Sequence, residues 1–182
     1  MSAPARLSNV SRLSVGQQAA LKREAGHCLR EADTQALQAF FSALPPGVPA
    51  YDQERYFAVL CFVCLWKEES RFNPKPLAEC LRILKKDGSN SADGRFRALL
   101  DTPWQNDEGY LLAKLSRLVR QIRNANIPLY PDFEQLLDDL LHWNAESRYV
   151  QRRWMEQYVN QGSFDKKVEL KMEESQIDKK EN

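Results

Sequence analysis

The sequence predicts an all-α protein, a compact bundle of roughly seven to nine helices joined by short loops. Three observations carry that expectation. Apolar residues recur at helical spacing over most of the chain, the period of a single buried face. No stretch alternates apolar and polar residues as a strand would, and no internal repeat is visible. Proline and glycine fall between the periodic segments, at Pro45-Pro46-Gly47-Val48-Pro49, at Pro74 and Pro76, at Pro103 and at Pro128 to Pro131, where they end helices and turn the chain.

Residues 1 to 13, rich in Ser, Ala and Arg, show little periodicity and are expected to be loosely ordered. Ser14-Val-Gly-Gln17 has the form of a capping box, and Leu21, Ala25, Cys28 and Leu29 extend one stripe behind it. Gly26, among Lys22, Arg23 and Arg30, reads either as a point of close ligand approach or as a helix-weakening glycine on a solvated face. A second helix runs from about Asp33 to Leu44. Asp52 is placed to cap the third, whose segment Tyr56 to Trp66 is apolar nearly all round and must be central. Leu77, Leu81 and Leu84 mark a fourth helix, with Arg82, Lys85 and Lys86 at its C-terminal end, where cations favour the helix dipole. Lys86 to Gly94 reads as a polar linker, and 87–94 would be the place for a break between two small helical subdomains. Arg95-Phe96-Arg97-Ala98-Leu99-Leu100 then opens a short helix in which Phe96 either stacks on a base between arginines or packs with Leu99 and Leu100.

From Asp107 onward the periodicity is strongest. Leu111, Leu112, Leu115, Leu118, Val119 and Ile122 fill one arc at about 100° per residue, and Lys114, Arg117, Arg120 and Arg123 spread over the opposite one. No carboxylate occurs between Glu108 and Asp132. Like charges at i, i+3 destabilise an isolated helix by about 0.2–0.5 kcal/mol per pair, so the row calls for an anionic partner. Two are open: a phosphate backbone, or the acids Asp132, Glu134, Asp138, Asp139 and Glu146 on an antiparallel neighbour helix. That neighbour buries Phe133, Leu136, Leu137 and Leu140, and a last helix carries Val150, Trp154 and Tyr158, with Glu156 one turn beyond Arg152. Ser163 to Asn182 holds five Lys and six Asp or Glu and is expected to be a disordered tail, so the domain scheme is 1–13, 14–161 and 162–182.

Composition sets further bounds. A 43% hydrophobic, 28% charged chain of 182 residues is ordinary for a soluble domain, and its longest apolar run is too short to span a bilayer. With no secretory leader in Met1 to Leu13, a cytoplasmic location is expected. Net charge is +1, so any nucleic-acid role depends on local clusters of cations. Cys28, Cys61, Cys64 and Cys80 sit in apolar helical patterns and read as buried, reduced thiols. Cys61-Phe-Val-Cys64 has redox spacing, but it has no second pair and no histidine at zinc-finger spacing. No metal, cofactor or small-molecule substrate is expected. Nor is an enzyme, because there is no glycine-rich phosphate loop, no H-E-x-x-H and no G-x-S-x-G; adjacent Asp138 and Asp139 point in different directions. The residues therefore leave a nucleoprotein subunit or a helical protein-interaction adaptor.

The order of motifs resembles the CasB family, the small subunit of the type I-E CRISPR surveillance complex Cascade. The resemblance rests on Leu13-Ser-Val-Gly16 followed by Ala19-Ala-Leu-Lys-Arg23, on Phe40-Phe41-Ser-Ala-Leu44, and on Leu111 to Val119 with its Leu-Ser-Arg-Leu core. It continues through Ile127-Pro128, Leu136-Leu-Asp-Asp-Leu-Leu-His-Trp143, Val150-Gln-Arg-Arg-Trp154 and Tyr158, and covers about residues 13 to 160. It implies an all-helical, noncatalytic subunit for antiviral defence, present in more than one copy beside the backbone and large subunits of the complex. There it would stabilise guide RNA and the displaced strand of the R-loop, an exchange that is close to balanced without protein contacts. The family's basic surface carries over to Lys22, Arg23, Arg95, Arg97, Lys114 and Arg117. Arg120 and Arg123 join them from the helical-wheel reading alone.

Overall fold

Every residue from Tyr56 to Trp66 is buried, which makes the helix that carries most of this apolar run the axis on which others pack. The computed structural model describes residues 6–85, 91–105 and 109–159. Among them are eight α-helices: α1 Val15–Arg23, α2 Thr34–Ala43, α3 Ala50–Val63, α4 Leu77–Lys85, α5 Ser91–Leu100, α6 Tyr110–Arg123, α7 Phe133–Leu141 and α8 Tyr149–Val159. The only β-type pairing among these residues is an isolated bridge between Lys75 and Pro131. Around α3 lie α1, α6 and α7, while α2 packs on α1, α4 on α8 and α6, and α5 on α6. The fold is all-α. One apolar core contains Leu81 and Phe96 together, from either side of the 86–90 segment.

The starts of the helices follow local chemistry. Ser14 accepts from the Gln17 amide while the Gln17 side chain accepts from the Ser14 amide, the reciprocal pair that satisfies two otherwise orphaned donors. Asp33 caps α2 and Asp132 caps α7. Asp52 does not cap α3, contrary to expectation: the helix begins two residues earlier, at Ala50 after Pro49, and Asp52 pairs within the first turn with Arg55 at 3.2 Å. Proline at the N-cap ends the preceding turn, and the acid then sits where the helix dipole favours it.

Two further expectations change. Residues 6–13 are not loose: Ser8–Arg12 forms a 3-10 turn that buries Leu7, Val10 and Leu13, residues three apart as that geometry requires. The polar linker is shorter than Lys86 to Gly94, since α5 already starts at Ser91. Of the two readings of Phe96, packing holds: it is fully buried in the core with Leu99 and Leu100 and stacks on Tyr158 with ring centroids 4.2 Å apart. Residues 160–182, with the expected Gly162 boundary and charged tail, lie outside the described residues, as do 1–5.

Candidate nucleic-acid interface

The inward face of α6 is made by Leu111, Leu112, Leu115, Leu118, Val119 and Ile122, all buried, as the periodicity predicts. Its outward stripe is Tyr110, Ala113, Arg117 and Arg120, each exposed. Two flanking segments frame that stripe. On one side the chain after α1 runs antiparallel to α6. The Arg120 guanidinium donates to the Ala25 carbonyl at 2.8 Å, Gly26 lies against Ser116, and Cys28 lies against Gly109. Gly26 has φ +102°, and a Cβ there would come within 2.4 Å of the Ser116 Oγ, so its close approach is to the fold's own α6 and not to a ligand. On the other side Lys114 reaches α5, where its Nζ donates to the Thr102 hydroxyl at 2.6 Å and the Ala98 carbonyl at 3.5 Å.

None of the cations Lys114, Arg117, Arg120 and Arg123 meets a carboxylate among the described residues. Four of the five acids offered by the sequence as internal partners are engaged elsewhere, and the fifth, Glu146, lines the groove beside Arg97. Asp138 pairs with Arg6 at 3.3 Å, and Glu134 accepts from the amides of Arg6 and Leu7. Asp132 caps its own helix, and buried Asp139 accepts from Arg153 and from the Trp154 indole. The alternative in which Asp138 and Asp139 neutralise α6 is therefore not met, because α7 turns those carboxylates toward the N-terminal segment and α8.

The four cations of α6 are not equivalent. Arg117 is exposed and makes no hydrogen bond or ion pair among the described residues. Arg120 keeps its charge at the surface but spends a donor on Ala25. Arg123 sits to one side of the stripe, its Nε donating to the Leu65 carbonyl at 2.7 Å and its guanidinium 5.9 Å from the Trp66 ring centroid.

The remaining sequence-predicted cations divide. Lys22 is exposed at the end of α1, three residues before Ala25, the partner of Arg120. Its neighbour Arg23 is exposed but held by Asp33 at 3.3 Å and Gln35 at 3.3 Å, an exposed pair that adds little stability. Arg95 is exposed and shares the i, i+3, i+7 face of α5 with Ala98 and Thr102, the atoms that Lys114 touches. Arg97 lies on the other side of α5, lining a cavity of about 510 Å³ with Glu146, Arg148, Arg152 and Met155. Lys114, Arg117 and Arg120 thus share α6, Lys22 precedes the segment that Arg120 binds, Arg95 lies on the helix that Lys114 reaches, and Arg97 and Arg123 point to other surroundings. Tyr110, 64% exposed on that stripe, had no place in the charge-based reading. Its signal is the heptad spacing to Arg117.

All four thiols are buried. Burial pushes Cys64 up to about 11, Cys80 up to about 12 and Cys61 well above the ordinary thiol value. A thiol in that state is a poor nucleophile, so the Cys61–Cys64 spacing reflects core packing. Among the described residues no group of His, Cys, Asp and Glu could hold a metal ion, and no helix is long and apolar enough to cross a membrane.

The sequence profile of the family described as CRISPR-associated protein Cse2 matches residues 17–158. A Cse2 protein of Thermus thermophilus is 33% identical over 89 residues, which is 49% of this chain and 47% of that protein; the aligned stretch spans about half of that relative. Among solved structures, a Cse2-family protein from Thermus thermophilus superposes with a TM-score of 0.70 at 27% identity, covering 86% of this chain and 98% of the other. CasB of M. ruber gives 0.68 at 21% identity, over 90% and 95% of the two chains. A chain of a CRISPR RNA-guided surveillance complex gives 0.65 at 24% identity, over 85% and 89%. These last two likenesses are of fold.

Proposed function

The chain belongs to the Cse2 family of CRISPR-associated proteins, and from that premise we propose that it is the noncatalytic small subunit of a type I-E Cascade surveillance complex in antiviral defence. In this reading it docks, in more than one copy, beside the backbone and large subunits in the cytoplasm. Its task is to stabilise guide RNA and target DNA, holding the displaced strand of the R-loop along the basic edge of α6. One observation carries the reading: an exposed helix bears four cations with no carboxylate partner among the described residues. An adaptor without nucleic-acid contacts would have its basic row neutralised within the fold, and four of the five acids available for that are committed elsewhere.

Strand exchange between a DNA duplex and a guide heteroduplex is near balance, so a few backbone contacts suffice to tip it. Contacts to phosphate position a strand without reading its sequence, which suits a subunit that must accept any target. Lys22, Lys114, Arg117 and Arg120 supply the contacts, with Arg95 at the α5 flank. Arg123 serves to hold α6 on α3, and Arg97 lies outside the track.

The test is to rebuild the complex with and without this chain and follow the lifetime of target pairing at fixed salt. The reading expects shorter-lived pairing without the chain and recovery on its return. Lifetimes that do not depend on the chain would overturn it.

A further inference from the structure

The outward stripe of α6 does not consist of charge alone. Tyr110, Ala113, Arg117 and Arg120 follow one another at i, i+3, i+7 and i+10, so they share one face of the helix. Tyr110 is 64% exposed at the N-terminal end of that face, and the next position is the small side chain of Ala113, which leaves the ring uncovered from the arginine side. From Tyr110 to Arg120 the stripe rises about 15 Å at 1.5 Å per residue. The chain after α1 runs beside it and brings Cys28 against Gly109, which sets exposed Arg30 near the tyrosine end and Lys22 near the arginine end.

Resting on the phosphate-track reading, we propose that Tyr110 is a base-stacking platform, which makes this edge a site for single-stranded DNA and not for duplex. A duplex presents its phosphates outward and keeps its bases stacked within, so an exposed tyrosine beside it finds no π-face. A displaced single strand has its bases free, and every base can stack on an aromatic ring whatever its sequence. Arg117 and Arg120 then hold the backbone while Tyr110 holds a base. Phe96, for which base stacking was one of two readings, is fully buried against Tyr158, which leaves Tyr110 as the aromatic on the basic stripe.

The experiment uses complexes rebuilt with parent chain, Tyr110→Ala, Tyr110→Leu, Tyr110→Phe or Arg117→Ala, on targets whose displaced strand is either natural or replaced over this region by an abasic tract. The readout is the rate at which a complementary oligonucleotide captures the displaced strand. Tyr110→Ala and Tyr110→Leu should speed capture of the natural strand by about tenfold, the size of one lost base stack. Tyr110→Phe should behave as the parent, and on the abasic strand all three Tyr110 variants should match it. Arg117→Ala should speed capture on both strands, because phosphates are present in both. Natural-strand capture unchanged in Tyr110→Leu, or speeded equally on the abasic strand, overturns the stacking role while leaving the phosphate track standing. If Arg117→Ala is silent as well, the track itself fails.

Discussion

Arg123 donates its Nε–H to the Leu65 carbonyl at 2.7 Å, just past the last residue of α3, and its guanidinium faces the Trp66 ring. Leu65 lies two residues past Val63, the last of α3, so this arginine fixes α6 against the chain that leaves α3. Its role separates it from Arg117, which makes no hydrogen bond or ion pair among the described residues.

The first prediction follows from that contrast. Arg123→Ala should lower stability by about 1–2 kcal/mol, through a lost charge-assisted hydrogen bond and a lost cation–π contact, whereas Arg117→Ala should change it by less than about 0.5 kcal/mol. Urea melts of the two variants beside the parent check this. Equal midpoints for Arg123→Ala and parent would mean that the Leu65 contact carries no net stability.

The second concerns the central helix. Phe57→Ala or Leu60→Ala should each cost about 2–5 kcal/mol as truncations of fully buried side chains. Thermal unfolding with parent-like midpoints in both would contradict the position of α3 at the core.

The third concerns Gly26, which combines a left-handed backbone with contact against Ser116. Gly26→Ala should destabilise the protein by more than about 1 kcal/mol, and Ser116→Gly in the same chain should recover part of the loss by removing the clash while the backbone strain stays. Because glycine inside α6 itself costs about 0.5–1 kcal/mol, the recovery is read against Ser116→Gly alone, and additive losses of the two single variants would show that strain alone is responsible.

The fourth concerns pH. Burial raises the Asp139 carboxyl to about 6, against the opposing pull of the Trp154 indole and Arg153; Asp138 and Asp132 add to the rise. The folded state then binds a proton that the unfolded chain releases near pH 4. This group's contribution therefore favours folding at low pH, weakens as pH rises from about 4 to about 6, and is flat above. Relative to Asp139→Asn, the parent should gain on the order of 2 kcal/mol on going from pH 7 to pH 4. Paired urea melts at the two pH values test this; a stability difference that does not move with pH would show that the carboxyl titrates at its ordinary value.

How much of this was readable from residues alone depended on the range of the interaction. The capping box at Ser14, the buried run Tyr56 to Trp66 and the two faces of α6 are local patterns, and each appears where its spacing places it. The N-terminal turn escaped because Leu7, Val10 and Leu13 repeat every three residues, a 3-10 period that a search at 3.6 passes over. The unequal roles of Arg117, Arg120 and Arg123 escaped for a different reason. Ala25 and Leu65 receive those arginines through backbone carbonyls far away in sequence, and a carbonyl leaves no mark in residue type. Tyr110 was visible only once helix phase was applied to aromatic as well as charged positions.

The most direct test of the phosphate track is a salt series. Complexes rebuilt with parent or with Lys22→Ala and Arg117→Ala combined should be compared for target-DNA binding, since neither side chain has a partner within the described fold and the variant should retain its stability. Each lost contact to a single strand should flatten the dependence of log K on log salt by about 0.7, so the double variant should bind more weakly at low salt and approach the parent as salt rises, whatever the base sequence of the displaced strand. Equal affinities and equal slopes across the series would contradict the claim that this edge of α6 holds nucleic acid.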